Sequence, residues 1–507
     1  MNRACYQQEL MNMPDFFYSK DEILRLPASK SLEENKALLG AVFHLPDNVD
    51  VVIKEFDAFG IQMMISYIDG LVDTEKLSES VLKPLIGSNQ TADIPSEERM
   101  EFIRKHVLFA PQISIKENFS EIIREMLSGI CVLFVDGCEE TAFIDLRKIP
   151  HRPVNRTNNE SVVLGAQEGF VENLRMNISL IRKNLRSSSL ITEMIDVGTK
   201  NKTKTALMYV QGVTDPEIVN EARKRLKSIT DEMFMGTGQI QQLIEDHPLA
   251  LIPQILQTER PDRAAAGLSE GQFAILTDNS PYALMGPATV FHFLHASDDT
   301  FMRWQYGTFI RLIRLLGILF SLLLPGMYIA LTQFHSHLLP MNLISSIAEA
   351  RANVPFSILG EILFMEFAFN LINEAGTRIP SQIGSALGIV GALILGQAAV
   401  TANIASPILI IIVAITGLGN FVIPSYSLSI GLQIYRLLIL FAGAMFGLYG
   451  IVLVLFLIAA SVCSMRSFGA PYFSPLAPKR PGKSDILFRI PFGFKKNKAF
   501  FEKKAGE

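Results

Sequence analysis

The chain has 507 residues, a formal net charge of −4 and 19% charged residues, so its length allows about three domains. A net charge this close to zero does not favour a nucleic-acid-binding protein, and we expect no nucleic-acid partner. The average composition hides a strong segregation, because between Ile379 and Met465 the only charged residue is Arg436. The chain therefore joins a water-soluble part to a part that is apolar enough for a bilayer.

The sequence contains no motif that indicates an enzyme. It lacks a P-loop, a dinucleotide glycine fingerprint, a zinc-ligand spacing and a nucleophile elbow, and its 8 histidines are scattered. Only TERPDR, residues 258–263, invites a catalytic interpretation, because Glu259 and Asp262 stand beside two arginines. A salt-bridged loop is the more ordinary interpretation of these residues. We expect no enzymatic activity, no cofactor and no metal.

The first part of the chain predicts an α/β fold. Residues 1–46 have no clear period and are interpreted as an N-terminal arm. Residues 47–150 alternate apolar and polar positions in short runs, and this predicts a first α/β subdomain that ends in a hairpin. Asp73 is a predicted helix N-cap, and Gly129 is predicted to close a second helix.

Residues 191–300 are predicted to repeat this layout as a second, similar α/β subdomain. Matching residues share one constant sequence offset, and they are Tyr67 and Tyr209, Gly70 and Gly212, Asp73 and Asp215, Pro111 and Pro253, and Gly129 and Gly271. A constant offset at several separated places is hard to obtain by chance. Chance similarity remains the alternative, because the identities are few.

Residues 151–190 form a linker helix region between the two subdomains. Leu174, Ile178 and Ile181 fall on one face at helical spacing, whereas Arg182 and its basic neighbours lie off that face. Two interpretations stay open at this point. The helix docks on a partner or on a membrane surface, or it is an ordinary helix with a solvated basic face.

Residues 301–465 are predicted to form an all-α polytopic membrane domain. Runs long enough to cross a hydrocarbon core of about 30 Å lie at about 315–334, 383–403, 407–424 and 435–462. Arginines precede the first run, and the tail 466–507 is basic, so both ends are predicted to be cytoplasmic. An even number of spans follows from this placement.

The stretch 341–378 does not fit this simple count. It is apolar in bulk, yet it carries four ionisable residues, which are Glu361, Glu366, Glu374 and Arg378. Ionisable groups at membrane depth normally face a protein interior or a water-filled path. Because these charges point in several helical directions, we interpret 341–378 as an interfacial or re-entrant helix on the outer side. A span that lines an aqueous cavity is the alternative.

The run 383–403 carries two distinct faces at helical spacing. A stripe of small residues would let another helix approach closely, and it consists of Gly384, Gly388, Ala392 and Gly396. A second face, about half a turn away, consists of Ala386, Val390, Leu393 and Gln397. If several copies packed through the small residues, the second face would line a central pore with an apolar gate. Plain helix packing within one subunit is the alternative.

Several segments of the chain together resemble one known family. They are VPFSILGEILFMEFAFNLINEAGTRIPSQIGSALGIVGALILGQAAVTANIASPILIIIVAIT (354–416), EGFVENLRMNISLIRKNLR (168–186), TERPD (258–262), YIDGLVD and LSGICVLFVDG. In the order in which they occur along the chain, they resemble the A subunit of the GerA-type spore germination receptors. The resemblance extends from about 50 to 465, and both ends of the chain carry little of it.

The resemblance implies a receptor of three kinds of subunit in the inner membrane of bacterial endospores. A transporter-like B subunit would hold the nutrient, and the C subunit would be a lipoprotein. The A subunit would self-associate in membrane lipid, as a pentamer, around an ion path that nutrient binding opens. Its N- and C-termini would face the cytoplasm, which is the spore core. A non-conducting scaffold or signalling subunit, or a component of a secondary transporter, is the alternative function.

The pore interpretation predicts the effect of replacing Val390 with Ala. A smaller side chain makes an apolar constriction easier to hydrate, so ions should cross it without a signal. Spores that carry the Val390→Ala chain with its partner subunits should release K⁺ without nutrient, faster than wild-type spores. Unchanged K⁺ release, together with a monomeric purified chain, would contradict the pore interpretation.

Overall fold

A computed structural model describes residues 20–87, 95, 98–109, 112–148, 160, 162, 164–231, 234, 236–378, 394–478 and 488–489. The described residues divide into two compact units. The first unit runs as far as Glu245 and also includes Ile255–Pro287. The second unit contains Asp246–Gln254 and the chain from Ala288 onward.

The first unit contains two five-stranded antiparallel sheets of the same topology. Their strands in chain order are β1 Val51–Ala58, β2 Ile61–Ile68, β3 Ile113–Lys116, β4 Cys131–Val135, β5 Thr141–Ile144, β6 Leu190–Val197, β7 Thr203–Val210, β8 Leu256–Thr258, β9 Phe273–Thr277 and β10 Ala283–Gly286. The first sheet has the order β1-β2-β4-β5-β3, and the second has the order β6-β7-β9-β10-β8. Strand for strand the two orders are the same, which confirms the prediction of two similar α/β subdomains.

Short helices cover these sheets. In chain order they are α1 Lys20–Ile23, α2 Leu32–Phe43, α3 Thr74–Leu77, α4 Lys83–Ile86, α5 Arg99–His106, α6 Phe119–Leu127, α7 Leu174–Asn184, α8 Pro216–Ser228, α9 Thr237–Ile244 and α10 Pro261–Ser269. A π-helical turn, Ser78–Leu82, joins α3 to α4. Met63 of β2 packs in one apolar cluster and its neighbour Met64 in another, so the first sheet is covered on both faces. Burial on both faces explains why β2 is an almost continuous apolar run.

The residues that repeat at constant offset have local structural roles. Asp73 accepts hydrogen bonds from the backbone N–H groups of Glu75 and Lys76, and Asp215 accepts one from Glu217. Both aspartates are therefore helix N-caps, as the sequence predicts. Gly129 and Gly271 have φ values of +92° and +89°, a conformation that residues with a Cβ rarely adopt. The repeat thus preserves the residues that the two chain turns require.

Helix α7 joins the two subdomains through Arg182, whose side chain is only 2% exposed. Its Nε donates to Asp50 Oδ2 at 2.8 Å, and its Nη2 donates to Asn48 Oδ1 at 2.9 Å. The same Nη2 donates to the carbonyl oxygen of Leu190, the first residue of β6, at 3.1 Å. The sequence predicted either a helix that docks on a partner or a membrane, or a helix with a solvated basic face. Neither prediction describes Arg182, because the spacing of apolar residues does not reveal a buried ion pair.

The second unit is mostly helical. Its elements are α11 Val290–Leu294, α12 Asp298–Phe301, α13 Trp304–Gln333, the 3₁₀ turn Ser336–Leu338, α14 Met341–Arg351, α15 Ile358–Arg378, α16 Pro407–Phe421, α17 Tyr426–Ser464, β11 Arg466–Ser467 and β12 Ala470–Pro471. Residues 394–401 are also helical. Among the described residues, α13 and α17 are long and apolar enough to cross a membrane, and α16 is a shorter apolar helix.

Helix α17 reverses direction at Gly447, where φ is +59° and ψ is −143°. A Cβ on Gly450 would lie 2.3 Å from the carbonyl oxygen of Ala442, and a Cβ on Gly443 would lie 3.4 Å from the side chain of Ile451. Residues eight apart are about 12 Å apart along a straight helix. These contacts therefore require two arms, 426–446 and 448–464, that fold back on each other. The predicted run 435–462 contains this break.

Helix α7 provides a matched test of the buried arginine. Replacing Arg182 with Ala leaves Asp50 buried without its partner, and we expect the free energy of local opening to fall by about 3–5 kcal/mol. Arg175→Ala is the control, because Arg175 lies in the same helix and pairs with Asp69 at 3.0 Å while its side chain is 77% exposed. An exposed pair contributes about 0–1 kcal/mol. Amide hydrogen exchange of α7 in the full-length protein measures both, and equal effects would contradict the assignment.

Candidate functional site

Most residues of the predicted pore face lie outside the described residues. These are Ala386, Val390 and Leu393, together with Gly384, Gly388 and Ala392 of the small-residue stripe. Gln397 is exposed in the helical segment 394–401, and a Cβ on Gly396 would meet only Ile410, at 3.8 Å. The pore face and its packing stripe therefore stay predictions.

The four predicted ionisable residues of the apolar stretch all lie in α15, in different surroundings. Glu361 and Glu366 are buried, at 1% and 4% exposure, whereas Glu374 is exposed. Arg378 is the last residue of α15, and its side chain lies outside the described part. The buried pair of glutamates therefore forms the candidate site.

Glu361 has a full set of partners. Arg351 at the end of α14 donates through Nε at 3.0 Å, and its Nη2 lies 2.8 Å from the same carboxylate oxygen. The other oxygen accepts a hydrogen bond from the backbone N–H of Ser406, the N-cap of α16, at 3.2 Å. A carboxylate at a helix N-terminus also interacts favourably with the helix dipole. Glu361 therefore fixes the positions of three helices.

Glu366 is held differently, by a single ion pair with Arg436 of α17. Arg436 Nε lies 3.0 Å from Glu366 Oε1, and both side chains are 5% exposed. Within the described residues, neither oxygen of Glu366 accepts a hydrogen bond of regular geometry. Arg436 also donates through Nη1 to Ser321 Oγ of α13 at 3.3 Å. The pair thus links three helices but leaves much of its hydrogen-bonding capacity unused.

A buried ion pair that lacks further hydrogen bonds contributes little to the stability of the fold. Removing two charges from water is unfavourable, and the attraction between them offsets this only when further hydrogen bonds complete the pair. Ionisable residues at membrane depth are most often functional for the same reason. Sequence reasoning singled out Arg436 and Glu366 separately. It missed their contact, and it missed Arg351, because no periodicity connects residues on different helices.

Helix α15 lies alongside α16 over much of its length. Near its start, Glu361 contacts Ser406, and two turns later a Cβ on Gly417 would lie 2.3 Å from the ring of Phe369. The two helices therefore run in the same direction. With 21 residues, α15 is about 31 Å long, comparable with the thickness of a hydrocarbon core.

Two arginines before the first apolar run, Arg311 and Arg314, form a buried cluster around Asp299. Arg314 donates to Asp299 at 2.9 and 3.2 Å, and Arg311 Nε donates at 3.3 Å. Burial alone would raise the pKa of Asp299, but the hydrogen bonds and charges of these arginines outweigh it and hold the pKa below its usual range. Arg314 also donates to the carbonyl oxygen of Leu294. The arginines that predict a cytoplasmic side thus also fix the start of α13.

The arginines of the TERPDR segment form salt bridges, as the ordinary interpretation of residues 258–263 expects, but only Glu259 and Arg260 lie in a loop, because Thr258 ends β8 and Pro261 begins α10. Arg260 is fully buried and pairs with Asp262 at 2.6 Å, and it donates to the carbonyl oxygen of Ala166 at 2.8 Å. Arg263 pairs with Glu160. These contacts tie the linker region to the start of α10 and give both arginines a structural role.

The described residues thus combine an α/β region with long apolar helices that contain buried ion pairs, and two of these helices, α13 and α17, are long and apolar enough to cross a membrane. Residues 41–500 match the model of the family described as Bacillus/Clostridium GerA spore germination protein. Since this match covers most of the chain, the chain belongs to the GerA family.

Similar proteins have names that agree with this assignment. Spore germination protein KA of Bacillus subtilis is 35% identical over 92% of this chain and 84% of its own length. Spore germination protein B1 of the same organism is 36% identical over 90% and 94%, and GerLA of Bacillus cereus is 34% identical over 85% and 87%. The N-terminal domain of the A subunit of the Bacillus megaterium spore germinant receptor GerK3 is 27% identical, covers 52% of this chain and 97% of that chain, and has a TM-score of 0.41.

The contact between Glu366 and Arg436 can be tested by a double-mutant cycle. Arg436→Met leaves a buried, unpaired carboxylate, and we expect a loss of about 3–5 kcal/mol in the free energy of unfolding. The double variant Glu366→Leu with Arg436→Met removes both charges and should recover most of this loss. Thermal unfolding of the purified chain in detergent measures the coupling energy, and Glu374→Gln serves as the exposed control. A double variant as unstable as Arg436→Met alone would contradict the pairing.

Proposed function

We propose that this chain is the A subunit of a nutrient-responsive spore germination receptor and that it self-associates in the membrane around an ion path. The observation that carries this proposal is the Glu366–Arg436 pair. It places two incompletely hydrogen-bonded charges among apolar helices, and such groups characterise ion paths rather than passive anchors. The membership of the GerA family supports the role in germination.

In this proposal the membrane domain has six crossings. They are α13, α15, the predicted run 383–403, α16 and the two arms of α17. Helix α15 is thus a span with buried charges, the alternative that the sequence left open for 341–378. The six crossings return the chain to the side where it entered, which agrees with the basic residues at both ends of the domain. Both termini lie in the spore core, and the membrane is the spore inner membrane.

The proposed receptor assigns nutrient binding to a different chain. The transporter-like B subunit holds the nutrient, the lipoprotein C subunit completes the complex, and copies of this chain form a ring, which we propose to be a pentamer. The small-residue stripe around Gly396 packs the copies together, and the face that includes Gln397 lines the path. Opening would then separate or rearrange helices that Glu361 and Glu366 hold in place.

Glu366 gives the proposal a direct test. Glu366→Gln leaves Arg436 as an unpaired positive charge beside the path, and this charge repels cations, so the variant should slow nutrient-triggered K⁺ release by about tenfold. Spores that carry the variant with its B and C subunits are exposed to a mixture of amino acids, sugars and nucleosides, and K⁺ release is followed with an ion-selective electrode. Receptor abundance is measured in the same spores by immunoblot.

Glu374→Gln is the matched control, because it removes a carboxylate from the same helix at an exposed position. It should release K⁺ at the wild-type rate. Normal K⁺ release by Glu366→Gln at normal receptor abundance would contradict an ion path beside this residue. Germination that proceeds normally while purified complexes in liposomes carry no K⁺ would favour the non-conducting scaffold.

A further inference from the structure

A loop of the soluble sequence belongs physically to the helical unit. The chain leaves the first unit after Glu245, at the end of α9, and re-enters it at Ile255, just before β8. The residues between them, Asp246–Gln254, pack with elements of the second unit. A simple connection between a helix and a strand would not need such a detour.

The loop is closed across its own base by Gln254, which is buried. Its Oε1 accepts a hydrogen bond from the backbone N–H of His247 at 2.9 Å, and its Nε2 donates to the carbonyl oxygen of His247 at 2.7 Å. The side-chain amide therefore imitates a pair of strand hydrogen bonds. This closure makes the loop a preformed compact element.

The segment that follows α17 holds the loop at three points. Ser467 Oγ donates to the carbonyl oxygen of Gln254 at 2.8 Å, and the hydroxyl of Tyr472 donates to the carbonyl oxygen of Pro253 at 2.7 Å. The backbone N–H of Phe468 donates to Asp246 Oδ2 at 2.6 Å. The bonds to the carbonyl oxygens of Gln254 and Pro253 are buried, whereas the bond to Asp246 is partly buried.

Helix α17 itself accommodates the loop at Gly431. A Cβ at this position would lie 2.2 Å from the carbonyl oxygen of Leu251, a distance that requires the backbone to move. Only glycine therefore permits the observed approach. Gly431 lies in the same arm of α17 as Arg436, less than two turns away.

We propose that Asp246–Gln254 is a coupling loop that transmits displacements of the second α/β subdomain to α17 and so to the Glu366–Arg436 pair. The tethers on both sides are short, since α9 ends at Ile244 and β8 begins at Leu256, and two extended residues span only about 7 Å. Close-packed contacts transmit displacement because they cannot deform smoothly. This inference rests on the proposed ion path, because it supplies the regulation of that site.

The test uses Gly431→Ala, with Gly376→Ala as the control. Gly376 lies in α15, and a Cβ there meets nothing within 4 Å. Hydrogen exchange of 246–254 in the purified receptor reports docking, and K⁺ release from spores given a mixture of amino acids, sugars and nucleosides reports coupling. Gly431→Ala should raise exchange in the loop and slow K⁺ release at least tenfold, and Gly376→Ala should change neither.

A loosened loop with normal K⁺ release would overturn the coupling proposal and leave the ion path intact. If Gly431→Ala prevents receptor accumulation, the variant Tyr472→Phe is used to test the coupling proposal instead. Hydrogen exchange of 246–254 and K⁺ release are measured for it in the same way. That variant removes only the hydroxyl that bonds Pro253 and keeps the ring near Phe293, at a centroid distance of 6.3 Å. Failure of the Glu366→Gln test, by contrast, overturns the ion path whatever the loop does.

Discussion

An ionised side chain among apolar helices needs a counter-charge, and this requirement organises the helical unit. Glu361 meets it with Arg351 and the N-terminus of α16, and Glu366 meets it with Arg436. These contacts join consecutive helices through Arg351 and helices distant in sequence through Ser406 and Arg436, so the positions of α14, α15, α16 and α17 depend on one another. The two glutamates differ in completeness. Glu361 has donors for both oxygens, whereas Glu366 depends on a single cation, so the second pair offsets less of the cost of removing its charges from water.

The first unit also contains a buried charge, and there it joins the two α/β subdomains. Arg182 draws Asp50 and Asn48 of the first subdomain together with Leu190 of the second. Five donors on a planar guanidinium can reach several acceptors at once, and this suits arginine to such a junction better than lysine. The two α/β subdomains, which have the same topology, are thereby joined into a single compact unit.

The sequence predicted the α/β elements well because their signals are local. Asp73 and Asp215 are caps, Gly129 and Gly271 need positive φ, and alternating runs mark strands. The sequence also identified the ionisable residues of the apolar stretch. What it could not supply was their partners, because Glu366 and Arg436 meet only through tertiary packing. A break such as Gly447 was equally hidden, since one glycine in a glycine-rich apolar run has no distinctive signal.

The reversal at Gly447 has a consequence for biosynthesis. The second arm of α17 brings Ser467, Phe468 and Tyr472 to the loop 246–254, so these three contacts form only after the chain has been synthesised as far as Tyr472. The sheets can form early, as N-terminal domains generally do during synthesis. The loop can close on itself through Gln254 before that point, but its contacts with Ser467, Phe468 and Tyr472 must wait for the second arm of α17. Maturation of this chain therefore includes a closure between segments that are more than 200 residues apart.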